Sequence, residues 1–245
     1  MSVAVRTLAT AEAGEAADLR GGVVLVVDVL RATTTLAVAF AHGAAEALPA
    51  GDVPTALRLA DGLAHAGVLL CGERGGKRIP GFDLGNSPLE YTCERVAGRP
   101  LVFASTNGSR ALAALRGVAR AGAAALVNAG AAARWAAGAA ALTLLCSGEE
   151  GRESPEDLLG AGAVLAELER SGAEPGLDRL SARARDMYRE ARGDLHAALR
   201  ACPHGAYLES LGFAEDLKVA ARQDSLPGVP RWRDGRLVPP AGEGP

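Results

Sequence analysis

Short β-branched runs alternate along this chain with alanine-rich stretches whose apolar residues recur at helical spacing, an order that few architectures accept. "VVLVVD" (23–28) reads as a buried strand and "TTTLAVAFAHGA" (33–44) as the helix after it. "TALRLADGLAHAG" (55–67) predicts a helix leading into the strand "VLLCGE" (68–73). Downstream, "LVFAS" (101–105) precedes the helix "GSRALAALRG" (108–117), and "AAALVNA" (123–129) reads as a strand. "LTLLCSG" (142–148) is a further strand, followed by the helix of "SPEDLLGAGAVLAELER" (154–170). The stretch 178–222 reads as mostly helical, and "PRWRDGRLVP" (230–239) as a closing hairpin around Asp234-Gly235. Strand followed by helix, repeated, predicts an α/β protein with a largely parallel or mixed sheet covered by helices on both faces.

A chain of 245 residues, 49% hydrophobic and 22% charged, can bury one substantial core. We expect a single domain over 1–238 with a flexible tail at 239–245. The formal net charge of -3 supplies no basic field for nucleic acid. The apolar runs are too short or too interrupted to span a bilayer, and "MSVAVRTLATAEAGEA" lacks the plan of a signal peptide, so no membrane association and a cytoplasmic setting are expected. Cys71, Cys93, Cys146 and Cys202 form no zinc-type spacing and read as buried free thiols. Cys146 ends an apolar run just before a glycine turn, which keeps it in view as a nucleophile.

In such sheets ligands sit where strands turn into helices at the carboxyl edge. In "VVDVLRATTT", Asp28 closes a strand while Arg31, Thr33, Thr34 and Thr35 stand where the next helix begins, making an anion and metal corner. The plainer alternative is a threonine N-cap and an Arg31–Asp28 pair. In "LVFASTNGSRAL", Ser105, Thr106, Asn107 and Gly108 precede a helix opened by Ser109-Arg110 and can meet an oxyanion, or simply cap the helix. In "LLCSGEEGRESPEDLLGAG", Ser154, Pro155, Glu156 and Asp157 read as a helix start, leaving Ser147, Glu149 and Glu150 as looser candidates. Finally, "GERGGKRIPGFDLGNSP" (72–88) reads as structureless chain anchored by Ile79, Phe82 and Leu84. It carries the acids Glu73 and Asp83, the cations Arg74, Lys77 and Arg78, and the polar Asn86 and Ser87. Acids and cations together suit Mg²⁺ with a highly charged anion, against the alternative of a solvated surface loop.

Read in order, "DVLRATTT", "GERGG", "PGFDLGNSP", "STNGSRAL", "NAGA", "SPEDLLGAGA" and "PHGAYLESLGFAEDL" resemble the 2-phosphosulfolactate phosphatase family from about residue 23 to residue 230. The resemblance implies a three-layer α/β/α fold. It also implies a magnesium-dependent phosphatase that hydrolyses 2-phospho-3-sulfolactate to 3-sulfolactate and phosphate, a step in coenzyme M biosynthesis in methanogens. Family members also occur in bacteria that make no coenzyme M. Ser105-Thr106-Asn107-Gly108-Ser109 departs from the family's Thr-Thr-Asn-Gly-Thr but retains the hydroxyls.

These readings give a set of expected roles. Asp28 with one or more of Glu73, Asp83 and Glu150 holds Mg²⁺; Thr33, Thr34, Asn107 and the Gly108 N–H cradle phosphate. Lys77, Asn86, Ser87, Ser105 and Thr106 also contact substrate. Arg31 or Arg74 faces the transition-state charge, and His204 in "PHGAY" protonates the leaving alkoxide unless it is a capping or core histidine. The substrate is a small anionic organophosphate, with Arg78 and Arg110 as further cations; a homodimer is expected. A covalent aspartyl-phosphate of the haloacid-dehalogenase kind needs a second Asp where Leu30 stands. Cys146 and Arg152 keep the bare Cys-x₅-Arg spacing without its glycine-dense cradle. A phosphatase for a different small organic phosphate, or an anion-binding domain without turnover, are the alternatives.

Overall fold

The structure is a computed structural model that describes residues 2–240. The strands are β1 Ser2–Leu8, β2 Val23–Val27, β3 Glu46–Pro49, β4 Leu69–Arg74, β5 Lys77–Arg78, β6 Pro100–Ala104, β7 Arg120–Ala124, β8 Ala141–Cys146, β9 Glu174–Leu177, β10 Arg231–Arg233 and β11 Arg236–Val238. The helices are α1 Ala11–Ala16, α2 Ala32–Ala41, α3 Val53–Gly62, α4 Cys93–Val96, α5 Gly108–Ala113, α6 Ala129–Ala136, α7 Pro155–Arg170, α8 Arg179–Ala191, α9 Leu195–Ala201, α10 Pro203–Ser210 and α11 Ala214–Ala220.

One mixed sheet runs in the order β5-β4-β6-β3-β11-β10-β7-β2-β8-β1-β9. It consists of two parallel blocks, β4-β6-β3 and β7-β2-β8-β1-β9. The β10–β11 hairpin is inserted between them, antiparallel to both neighbours. The hairpin turns at Asp234 (φ 48°) and Gly235 (φ 84°), the left-handed pair that a two-residue hairpin favours. Helices cover both faces, as the alternation predicts. Val23, Leu25 and Val27 of β2 join the core under α6, α7 and α8, whereas Val24 and Val26 join the core under α2 and α5. A strand buried on both sides has no polar face, which is why "VVLVV" is uniformly apolar.

Helix α7 spans sixteen residues behind Ser154, whose side chain caps it, with Pro155 at its first position. Helix α8 packs against it so closely that a Cβ at Gly162 would lie 2.1 Å from the Ala184 carbonyl oxygen.

Several expectations are corrected. The strand placed at "AAALVNA" lies at Arg120–Ala124, and Leu126–Asn128 forms a 3₁₀ turn. Asn128 ends the strand: its Oδ1 accepts the Ala125 N–H at 2.8 Å and its Nδ2 donates to the Gly228 carbonyl at 3.1 Å. The stretch 72–88 is not structureless. Strand β4 continues to Arg74, turns at Gly75-Gly76, and returns as β5 with Glu73 opposite Arg78. Cys71 then bridges Leu84, and Ile79, Phe82 and Leu84 are buried, as their apolar character required. Strands β1, β3 and β9 and helices α1, α4 and α6 have no counterpart in the sequence reading. The tail expected at 239–245 lies beyond the described residues from 241 onward. No helix among the described residues is long and apolar enough to cross a membrane.

The inserted hairpin makes the two parallel blocks mutually dependent. Leu237, fully buried, pairs β11 with β3 at Ala47. Leu237→Ala is expected to lower unfolding stability by about 2–4 kcal/mol, measured by urea denaturation; a loss below about 0.5 kcal/mol would show that the hairpin is dispensable.

Candidate active site

The turns after β2, β4, β6 and β8 converge on a cavity of about 390 Å³. The β2 turn contributes Asp28, whose Oδ1 accepts the Ala32 N–H at 2.9 Å, so the carboxylate is fixed by the first turn of α2. Gly108 makes room for it: a Cβ there would fall 2.6 Å from Asp28 Oδ2 and 2.5 Å from the Ala32 Cβ. The glycine in "STNGSRAL" thus serves close approach to a carboxylate, beyond any role in capping.

From the β8 side, Asp157 bridges two turns. Its Oδ1 accepts the Val29 N–H at 2.9 Å and its Oδ2 accepts the Gly148 N–H at 3.1 Å. Glu156 beside it is buried, lines the cavity, and has an Oε2 without a hydrogen-bond partner. By sequence both are ordinary helix-start acids. The capping signature is real, but it also presents two carboxyl groups at the cavity wall.

Glu73 reaches inward from β4. Its Oε1 accepts the Thr106 N–H and hydroxyl at 2.8 and 2.9 Å, and its Oε2 accepts the Gly76 N–H at 2.9 Å. Glu73 thereby ties the β4–β5 turn to the β6–α5 turn. His204, from α10, faces the cavity with its Nδ1 2.8 Å from Glu149 Oε1. Glu150 follows in a tight turn closed by Glu149 and Arg152 and takes φ 50°.

Of the expected residues, the cavity wall gathers Asp28, Arg31, Glu73, Asn86, Ser105, Thr106, Asn107, Glu150 and His204. Others turn away. The Thr33 hydroxyl donates to the Ala124 carbonyl at 2.7 Å, and that of Thr34 to the Val29 carbonyl at 2.8 Å, so both serve the backbone. Ser87 donates to Asp216 at 2.6 Å. Arg74 donates to the Glu73 carbonyl at 2.7 Å and the Gly51 carbonyl at 3.2 Å and does not line the cavity. Lys77 and Arg78 are exposed on β5, and Asp83 accepts the Leu70 N–H at 2.9 Å outside the cavity. Gly108 touches Asp28 but does not line the cavity. Arg110 pairs with Glu12 and Glu15. Cys146 is fully buried, which lifts its thiol well above the usual range, and Arg152 is exposed, so the spacing builds no thiolate cradle.

Burial dominates the electrostatics. It pushes the Asp28 carboxyl up to about 6, opposed by the Ala32 N–H, His204 and Ser147. Burial also raises Asp157 well above the ordinary carboxyl range, reinforced by the negative charges of Asp28 and Glu156. Six carboxyl groups line the cavity against two basic side chains, Arg31 and His204. Each of those is already paired, Arg31 with Asp216 and His204 with Glu149.

Such a wall suits a hard divalent cation. Its donors are oxygens, and Glu156 Oε2 and Asn86 Oδ1 are buried without partners. Among the described residues no three His, Cys, Asp or Glu side chains are grouped to hold a metal alone. That fits Mg²⁺, which keeps several waters and takes one or two carboxylates together with phosphate oxygens.

The fold and site define an α/β protein with an acid-lined, oxygen-donor cleft at the carboxyl edge of a mixed sheet. The chain belongs to the 2-phosphosulpholactate phosphatase family, whose sequence profile it matches over residues 8–235. It is 37% identical over 224 residues to a protein of Symbiobacterium thermophilum, covering 91% of this chain and 96% of the relative. It is 43% identical over 220 residues to one of Synechococcus sp. (87% and 90%), and 34% identical over 219 residues to one of Caldanaerobacter subterraneus (89% and 90%). All three relatives carry the name "Probable 2-phosphosulfolactate phosphatase".

A carboxyl raised from 3.8 in the unfolded chain to about 6 in the folded protein costs stability once it ionises. The folded state holds more protons between these values, so stability falls as pH rises from about 4 to about 6, and the deficit persists above. Asp28→Asn removes it. In the presence of EDTA the variant is expected to exceed wild type by about 1–3 kcal/mol at pH 7.5 and to match it near pH 4, as read by urea denaturation. A variant less stable at pH 7.5 would show that Asp28 is not penalised.

Proposed function

We propose that this protein is a phosphoric monoester hydrolase that converts 2-phospho-3-sulfolactate, or a closely similar small anionic phosphate monoester, to 3-sulfolactate and phosphate with Mg²⁺. The observation that carries this reading is the convergence of Asp28, Asp157 and the unpartnered Glu156 Oε2 beside Asn107 and His204 at one strand edge. A substrate with three anionic groups and the wall's six carboxyl groups repel each other unless cations enter between them. Membership of the family supports the same chemistry. The coenzyme M pathway is one setting in which this substrate is made.

Asp28, Asp157, Glu150 and Glu156 are the residues that would hold Mg²⁺, directly or through water. When bound, the ion would polarise the phosphoryl oxygens and lower the barrier to attack by water. The protein's own part is to position and to move one proton. Ser105, Thr106 and Asn107 orient the phosphate from the β6–α5 turn. Arg31 donates to an anionic group of the substrate. Glu149 holds His204 at Nδ1 and leaves Nε2 as the atom that hands a proton to the departing alkoxide oxygen. A cytoplasmic homodimer accompanies this reading and is read out by cell fractionation and light scattering.

Phosphate release should occur from phosphosulfolactate, disappear with EDTA and return with Mg²⁺. A panel including phosphoglycolate and phospholactate then ranks substrates by kcat/KM. His204→Asn should lower kcat by about 10²–10³-fold with KM changed only a few-fold. Release that persists undiminished in EDTA would remove the metal from this reading, and no release from any of the panel would leave an anion-binding domain. Mg²⁺ should also raise the wild-type melting temperature at pH 7.5 while leaving Asp28→Asn unmoved.

A further inference from the structure

Arg31 is the single arginine or lysine on the cavity wall. Its environment is unusual for a side chain facing many carboxyl groups, because its ion-pair partner stands behind the wall. Nη1 donates to Asp216 Oδ2 at 2.7 Å, and both side chains are only 2% exposed. Nη2 donates to the Gly76 carbonyl at 2.6 Å, and the Phe213 ring lies 4.3 Å from Cζ. Asp216 in turn accepts the Ser87 hydroxyl on its other oxygen at 2.6 Å. Asp216 itself does not line the cavity. Three separate stretches therefore meet at one guanidinium, the β4–β5 turn, the α10–α11 turn and α11, and the segment before residue 88 joins them through Ser87 on Asp216.

We propose that Asp216 is a positioning residue: it draws the Arg31 guanidinium back against Phe213 and Gly76, so that the remaining N–H groups present one fixed edge to an anionic group of the substrate. A guanidinium has five donors, and the two contacts named leave three, enough for the two parallel N–H groups of one edge. The physical need follows from the wall. An untethered arginine would be drawn to Asp28 or Asp157 and neutralise the acids that must meet a cation. Asp216, buried and oriented by Ser87, outcompetes them because its geometry is already set. This role rests on the phosphatase reading for the identity of the anion.

The test uses Asp216→Asn, Ser87→Ala and Arg31→Lys in the full chain, with inorganic phosphate in saturating Mg²⁺ as the calorimetric probe and phosphosulfolactate as substrate. Asp216→Asn should raise the phosphate Kd and the substrate KM by about tenfold, and Ser87→Ala by about two- to threefold. In the Arg31→Lys background, Asp216→Asn should add less than about twofold, because its effect passes through the guanidinium. The Arg31 Nε–H resonance, assigned by its loss in Arg31→Lys, should shift in Asp216→Asn. An unmoved resonance overturns the tether. A moved resonance with unchanged Kd and KM, or an equal penalty in both backgrounds, overturns the positioning role. If Asp216→Asn fails to fold, Ser87→Ala carries the same comparisons. Wild-type binding of phosphate without hydrolysis would sink the phosphatase reading alone, whereas absence of binding would sink both.

Discussion

Two carboxyl groups, Asp28 and Asp157, are held out of water side by side in charge terms, and much of the site's construction follows from that. Each is fixed by backbone N–H groups: Asp28 by Ala32, Asp157 by Val29 and Gly148. Because these donors lie in the turns after β2 and β8, adjacent central strands of the sheet, the carboxyl groups inherit the rigidity of the hydrogen-bonded ladder between them. Fixed backbone dipoles stabilise a buried carboxylate without neutralising it. The residual cost of ionisation is what makes the site receptive to a cation.

The surrounding architecture serves the same end. Glu73 spends both oxygens joining the β4–β5 turn to the β6–α5 turn at the cavity wall. The two turns belong to the parallel block β4-β6-β3, whereas Asp28 and Asp157 sit on the block containing β2 and β8. The site therefore straddles the two blocks, and the β10–β11 hairpin between them helps to set their separation. A sequence feature at residues 231–238, far from the cavity, becomes part of what positions it.

Much of this was legible in the sequence because its signal is local. Asp28 closes an apolar run, so its place at the carboxyl edge of a central strand follows from the run itself. The Ser105–Gly108 turn and the hairpin at Asp234-Gly235 were equally visible, each marked by residues with a conformational reason to be there. The acids of α7 were hidden by their own plausibility: a proline followed by two acids already explains itself as a helix start, and nothing local distinguishes an acid facing solvent from one facing a cavity. The loop 72–88 failed differently. Once "GERGG" is seen as the end of a strand and a hairpin turn, successive side chains must alternate. Glu73 then points inward and Arg74 outward, so the two could not share the site. Lys77 and Asp83 were included by the same assumption of structureless chain, whose residues could converge anywhere.

The distribution of charge also bears on what the site can select. A cleft with six carboxyl groups and two basic side chains, both already paired, repels free anions and attracts cations. Under the proposed function, affinity for an organophosphate rests on a cation that accompanies it, and discrimination among organophosphates on the few polar groups that remain: the edge of Arg31, Ser105, Thr106 and Asn107, and His204 Nε2. Arg31 is held by Asp216 behind the wall and Ser105 by Ser109, which does not line the cavity, so for these two groups shape recognition is separable from the charge of the wall. Substitutions that alter the acids should change metal demand, whereas those that loosen the donors should change which substrate is preferred. That division would give this fold a physical route to different small phosphate monoesters without rebuilding its sheet.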